Sequence, residues 1–124
     1  MPRFSIIIPL MGDERLFDQT LASILRNRSA KSEILVIHDG TYQDPHGLSD
    51  EITFASTEKR PDLIAMFNRG VSLAAGDLLA LIRPGIELPS DWESTVEDAF
   101  KKPNIGSVSP LITTPNEPHK IVTA

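Results

Sequence analysis

The sequence has no cysteine, which removes disulfides, thiolate metal sites and a cysteine nucleophile together. It also lacks any long apolar run. The stretch from Phe4 to Leu10 is short and leads into the acidic pair Asp13-Glu14, unlike a signal peptide. Leu78 to Ile82 falls far below the length that spans a bilayer. No transmembrane segment is expected, and the expected location is cytoplasmic. Positive charge is not in excess: the formal net charge is −5, whereas a nucleic-acid binder carries a basic face. Arg26, Arg28 and Lys31, then Lys59 and Arg60, cluster locally but make too short a track for a phosphate backbone. Repeats and low-complexity tracts are absent too. What remains is a chain of 124 residues, 40% hydrophobic and 23% charged, the size and composition of one globular domain with one core.

The apolar residues fall into two alternating patterns. Phe4-Ser5-Ile6-Ile7-Ile8, Glu33-Ile34-Leu35-Val36-Ile37 and Leu78-Leu79-Ala80-Leu81-Ile82 are compact runs that read as strands buried on both faces. The continuity of the first and the last predicts that they lie adjacent and central. Ile52 to Ala55 makes a short strand between them, and Ile105 to Ser109 a fifth. Leu16, Phe17, Leu21, Ile24 and Leu25 recur at helical spacing, so residues 14–26 form an amphipathic helix capped by Asp13. Leu63, Met66, Phe67, Gly70, Val71 and Ala74 mark a second helix, with Pro61 in its first turn. Ser90-Asp91-Trp92-Glu93 predicts a third, with Ser90 as cap and Glu93 reaching back. The order β-α-β-β-α-β-α-β implies a single-domain α/β fold: a mostly parallel, Rossmann-like sheet with helices on both faces. Ligands of such sheets sit beyond the carboxyl ends of the strands. The segments that matter are then Pro9 to Glu14, His38 to Tyr42 and Arg83 to Leu88.

Three familiar sites do not fit. A dinucleotide fold wants several glycines after the first strand, and only Gly12 is there. A phosphate loop ending in Gly-Lys-Ser/Thr is missing. A receiver-like acidic pocket would find Asp13 and Glu14 but no lysine in Ser109-Pro110-Leu111. His38, His46 and His119 have no spacing that suggests a relay or a metal site.

The blocks Ser5-Ile6-Ile7-Ile8-Pro9, Leu21-Ala22-Ser23-Ile24-Leu25, Glu33 to Gly40, Asn68-Arg69-Gly70, Ala75-Gly76-Asp77 and Leu88-Pro89-Ser90-Asp91-Trp92 occur in that order. Together they resemble the N-terminal, nucleotide-binding half of a family 2 glycosyltransferase, over nearly the whole chain. The resemblance implies a GT-A fold across residues 1–124 and a nucleoside-diphosphate sugar as ligand. It places Pro9, Leu10 and Met11 along the base and ribose, and Asp39 facing the base. Asp39 matches the second acid of the family's Asp-Asp-Gly-Ser block, His38 replacing the first; the plainer reading of Asp39-Gly40 is a turn. Glu14, Gly40, Arg60, Asn68 and Arg83 complete the nucleotide-binding set that the resemblance implies. A packing role competes for Asn68 and Gly70, and solvated surface for Lys59 and Arg60.

The match breaks after the fourth strand. Family members carry an Asp-x-Asp motif there that holds Mg²⁺ or Mn²⁺ on the diphosphate. Here the aligned residues are Arg83-Pro84-Gly85, and neither Arg83 nor Gly85 is a metal ligand. Arg83 can instead meet the diphosphate as a bidentate cation. The family's catalytic base comes from a later, acceptor-binding half, so no catalytic residue is named. The chain therefore reads as a fragment or truncated form, inactive by itself. The alternative is a non-catalytic GT-A-like module for interaction or homo-oligomerisation.

Overall fold

The computed structural model describes residues 3–57, 62–108, 113–114 and 117–121. Strand β1 (Phe4–Pro9), helix α1 (Glu14–Asn27), β2 (Ser32–His38), β3 (Thr53–Ser56), α2 (Leu63–Leu73) and β4 (Leu78–Leu81) follow one another in a compact unit, Met1–Ser90. A second unit, Asp91–Ala124, holds α3 (Trp92–Phe100) and an antiparallel pair, β5 (Thr113–Thr114) and β6 (Glu117–Ile121). Among the described residues no helix is long and apolar enough to cross a membrane.

The first unit is the expected α/β arrangement: four parallel strands in the order β3-β2-β1-β4. Ile6, Ile7 and Ile8 of β1 are all 0% exposed, as a strand paired on both sides and covered on both faces must be. Parallel crossovers are right-handed. The β1-α1-β2 step runs one way across the sheet and the β3-α2-β4 step runs back, so α1 and α2 take opposite faces. Met66 of α2 packs with Ile7, Leu35 and Ile37 on one face. Ile6, Ile8, Ile34 and Val36 are as fully buried on the other. Each such side chain contributes about 1.5–3 kcal/mol relative to exposure. Gly70 is buried in α2 because a Cβ there would overlap Cγ2 of Ile7; its packing role is therefore real.

Caps locate both helices. The Asp13 carboxylate accepts from the Arg15 amide at 2.8 Å, as expected, and Asp62 accepts from the Ala65 amide at 2.7 Å. Each satisfies a donor that the helix itself cannot. Pro61, expected in the first turn of α2, lies outside the described residues. At the amino ends of the strands, buried Ser5 donates its hydroxyl to Glu33 Oε2 and accepts the Gly76 amide at 2.8 Å. Glu33 Oε2 also takes the Ala75 amide at 2.7 Å. The block Ala75-Gly76-Asp77 thus starts β4 at the end of the sheet away from any strand-end ligand.

Three expectations are corrected. β4 is adjacent to β1 but is an outermost strand of the sheet, and Leu79 and Leu81 are 45% and 51% exposed. Its apolar run reflects one half-buried face and an open second one. Of the expected strand Ile105 to Ser109, residues 105–108 form none, with Ile105 and Val108 exposed and without a sheet partner among the described residues; Ser109 lies outside the described residues. Ser90 does not cap the third helix, since the cap position falls on Asp91, whose side chain makes no capping hydrogen bond. The Ser94 hydroxyl instead donates to the Asp91 carbonyl at 3.0 Å.

Candidate functional site

Because β2 and β3 are parallel, the chain leaving His38 must travel back before pairing again. Residues 39–52 make that return, and their first part stands over the carboxyl ends of β1 and β2. Between this loop and the start of α1 lies an open cleft of about 450 Å³, within the range of small-molecule sites. The β1 side supplies Leu10, Gly12 and Glu14; the loop supplies Asp39, Thr41, Tyr42, Gln43 and Pro45.

Asp39 is the turn-former that the sequence allowed, and it also lines the cleft. Its Oδ1 accepts the Thr41 amide at 3.0 Å and the Thr41 hydroxyl at 2.5 Å, an Asx-turn that shapes the loop. Oδ2 makes no hydrogen bond among the described residues. The Thr41 hydroxyl, then the Thr41 amide, hold the carboxyl below its ordinary value of 3.8, so Asp39 is anionic at neutral pH. His38 Nδ1 accepts the Gly40 amide at 2.9 Å, so that nitrogen is used in the turn.

Tyr42 fixes the loop to the body of the domain. Its ring meets Phe17 edge-on at 5.8 Å, tilts over Phe54 at 5.6 Å and lies 6.1 Å from His38. The hydroxyl is buried and makes no hydrogen bond among the described residues. Burial first, then the charges of Asp18, Asp44 and Glu14, push it above its usual 10.0, so it remains a neutral donor. His46 Nε2 stands 3.6 Å from Asp18 Oδ1, too far for a hydrogen bond, and brings the loop close to α1 again.

Of the residues singled out in the sequence, Leu10, Glu14 and Asp39 meet in the cleft. Gly40 adjoins Asp39 in its turn, Met11 is an exposed neighbour of Leu10, and Pro9 is buried inside β1. Asn68 is exposed on α2 and lies apart from the cleft lining. Lys59 and Arg60 lie outside the described residues. Arg83 is exposed beyond β4, on the other side of β1, where it begins the turn Arg83-Pro84-Gly85-Ile86. Gly85 has φ +100°, the conformation that the second central residue of a type II turn demands, after a proline that suits the first. Strands are spaced about 4.8 Å apart, so β2 and β4 are roughly 10 Å apart across β1.

Gln43 and Pro45 lie outside the segments flagged in the sequence, while Gly12, Thr41 and Tyr42 lie inside them without having been singled out as site residues. The available signal was that Tyr42 is the one tyrosine of the chain, two residues past an Asp-Gly turn.

The cleft is acidic. Glu14 and Asp39 face the cleft, and Asp13 already occupies the α1 amino terminus, so a phosphate gains nothing there. The groups that suit it are N–H donors of a base and hydroxyls of a sugar. In the segment from Arg83 to Leu88 the one carboxylate is Glu87, and no cluster of three or more His, Asp or Glu among the described residues is placed to hold a metal ion. Hard divalent cations bind through carboxylates and other oxygens. The residues of the turn therefore do not fit the cation that the resemblance implies.

No protein-family model and no curated protein sequence matches the chain. Solved structures do. The mannosyltransferase PcManGT from Pyrobaculum calidifontis, in complex with GDP-Man and Mn²⁺, superimposes with a TM-score of 0.72 at 18% identity, over 93% of this chain and 36% of that one. S. aureus TarS 1-349 in complex with UDP-GlcNAc matches with a TM-score of 0.58 at 16% identity, over 80% of this chain and 30% of its own. The chain spans about a third of the length of these structures. Its fold is that of these glycosyltransferase structures.

Proposed function

We propose that this chain is the nucleotide-binding half of a GT-A glycosyltransferase of the family 2 type, and that it binds a nucleoside-diphosphate sugar. The observation that carries the reading is the cleft at the ends of β1 and β2, with anionic Asp39 and apolar Leu10 in its lining. The base lies against Leu10 with an N–H donated to Asp39, and the ribose lies near Glu14. The diphosphate runs across the end of β1 towards Arg83, away from the acidic lining. Two solved structures of this fold carry GDP-Man and UDP-GlcNAc in their complexes, which supports a ligand of that class. Binding, not transfer, is the activity proposed for these residues. The turn Arg83-Pro84-Gly85 offers a cation where the resemblance calls for metal-binding acids, so binding proceeds without a divalent ion.

A second reading, a non-catalytic interaction module, is favoured by the exposed leucines of the outermost strand β4. Ligand-observed NMR titration with UDP, GDP and their nucleosides separates the two. Nucleotide binding is expected in the millimolar range or tighter. A charge-assisted hydrogen bond contributes about 1.5–3 kcal/mol, so Asp39→Ala should weaken it roughly ten-fold or more. Added Mn²⁺ should change nothing. Absence of saturable binding by every nucleotide would favour the interaction module, and binding indifferent to Asp39→Ala would displace the base from the cleft.

A further inference from the structure

Buried hydroxyl groups on a helix that faces a ligand-side loop are unusual enough to ask what they hold. Thr20 and Ser23 of α1 are both 0% exposed, and neither spends its hydroxyl within the helix. Thr20 Oγ1 accepts the Gly85 amide at 2.7 Å. Ser23 Oγ accepts the Leu88 amide at 2.7 Å and donates back to the Leu88 carbonyl at 3.4 Å. One turn further along, Asn27 Nδ2 donates to the same carbonyl at 2.8 Å. Three side chains on one stripe of α1 therefore bind the backbone of the segment that follows β4. The segment enters this grip from the other end as well, through the Ile82 amide on the Ile7 carbonyl at 3.0 Å.

We propose that Thr20, Ser23 and Asn27 are positioning residues for the ligand, holding the turn Arg83–Ile86 rigid so that the Arg83 guanidinium meets the diphosphate without a metal ion. The inference rests on the nucleotide-binding reading above and deepens it. A loop that holds phosphates through a bound cation is ordered by that cation when the ligand arrives. Here the order is built in beforehand, by Pro84, by the positive φ of Gly85 and by hydrogen bonds that a solvent-excluded helix face supplies. Arg83 needs such help, because a long exposed side chain on a mobile loop loses rotamer and backbone freedom at binding. Fixing the turn leaves only the side chain to order.

The test uses the intact chain with UDP and uridine, and with GDP and guanosine, each pair differing only in the diphosphate. Thr20→Val keeps the volume and removes the hydroxyl, and Thr20→Ser restores it. The wild type should bind a diphosphate more tightly than its nucleoside. Thr20→Val should weaken the diphosphate about three- to ten-fold, the range of one lost hydrogen bond, and leave the nucleoside unchanged; Thr20→Ser should recover it. In an Arg83→Ala background Thr20→Val should have no further effect, because the two act through one contact. Ser23→Ala provides the same comparison should Thr20→Val fold poorly. Equal loss of nucleoside and diphosphate, or additive effects with Arg83→Ala, would reduce these residues to a structural role and overturn the inference. A wild type that binds nucleoside and diphosphate equally would overturn it too while leaving the cleft reading intact. A wild type that binds neither would overturn both.

Discussion

At the scale of single residues, the site is decided by how each polar atom is already used. Asp39 shares its carboxylate between a turn and the cleft, and the Thr41 hydroxyl and amide keep it ionised. Its folded pKa lies below the ordinary value. The stabilisation it lends is therefore present above pH 3.8 and lost as pH falls through the lower folded value. Thr41→Val should move the Asp39 carboxyl back towards 3.8, seen as a later midpoint in a ¹³C-carboxyl NMR titration. An unchanged midpoint would show that Thr41 is not the cause. Tyr42 is the opposite case. Its hydroxyl is buried without a hydrogen bond among the described residues, which costs roughly 1–3 kcal/mol, while the ring packs against Phe17 and Phe54. Tyr42→Phe should therefore leave the melting temperature unchanged or raise it, and Tyr42→Ala should lower it. A clear loss with phenylalanine would point to a hydrogen bond that the hydroxyl makes through water.

At the scale of elements, two contacts set how closely helices approach the sheet. Gly70 lets α2 lie directly on Ile7. Gly70→Ala would improve helix propensity by about 1 kcal/mol, yet overpacking at a buried contact costs about 1–3 kcal/mol. A net loss of up to ~2 kcal/mol in urea unfolding is expected; a gain would mean that Ile7 shifts freely. On the other face α1 grips the segment after β4 through Thr20 and Ser23. The sequence reading treated α1 as a helix with an apolar stripe, which it is. Its hydroxyl stripe went unread, because Thr and Ser at helical spacing look the same whether they meet solvent or a loop remote in sequence.

At the scale of the molecule, the order β3-β2-β1-β4 places one strand of great apolar continuity in the middle and another at the margin. Amides of Ile6 to Ile8 and Ile34 to Ile37 should exchange most slowly with solvent, and those of β4 faster, since β4 is paired on one side. Leu81 is 51% exposed, so Leu81→Lys should change stability by no more than about 0.5 kcal/mol. A loss above ~2 kcal/mol would mean that this leucine is covered in solution. Leucine runs cannot reveal in advance which of two strands is outermost. That follows from which crossover carries the chain back over the sheet.

The sequence by itself determined the parallel α/β class, the positions of α1 and α2, Asp13 as a cap, and the strand ends at which to look. Each of these follows from local periodicity, capping chemistry and the rule that ligands gather at carboxyl ends. The resemblance brought Leu10, Glu14 and Asp39 into one candidate set, and they fall in the strand-end segments flagged on topology. Only the tertiary structure decided that Tyr42 anchors the cleft wall, that β4 is outermost, and that residues 105–108 remain outside any sheet. It alone showed that three α1 side chains grip the segment carrying Arg83. Those facts depend on contacts between residues some 20 to 70 positions apart. Local pattern has no term for such contacts, because their strength lies in which surfaces the folded chain brings together.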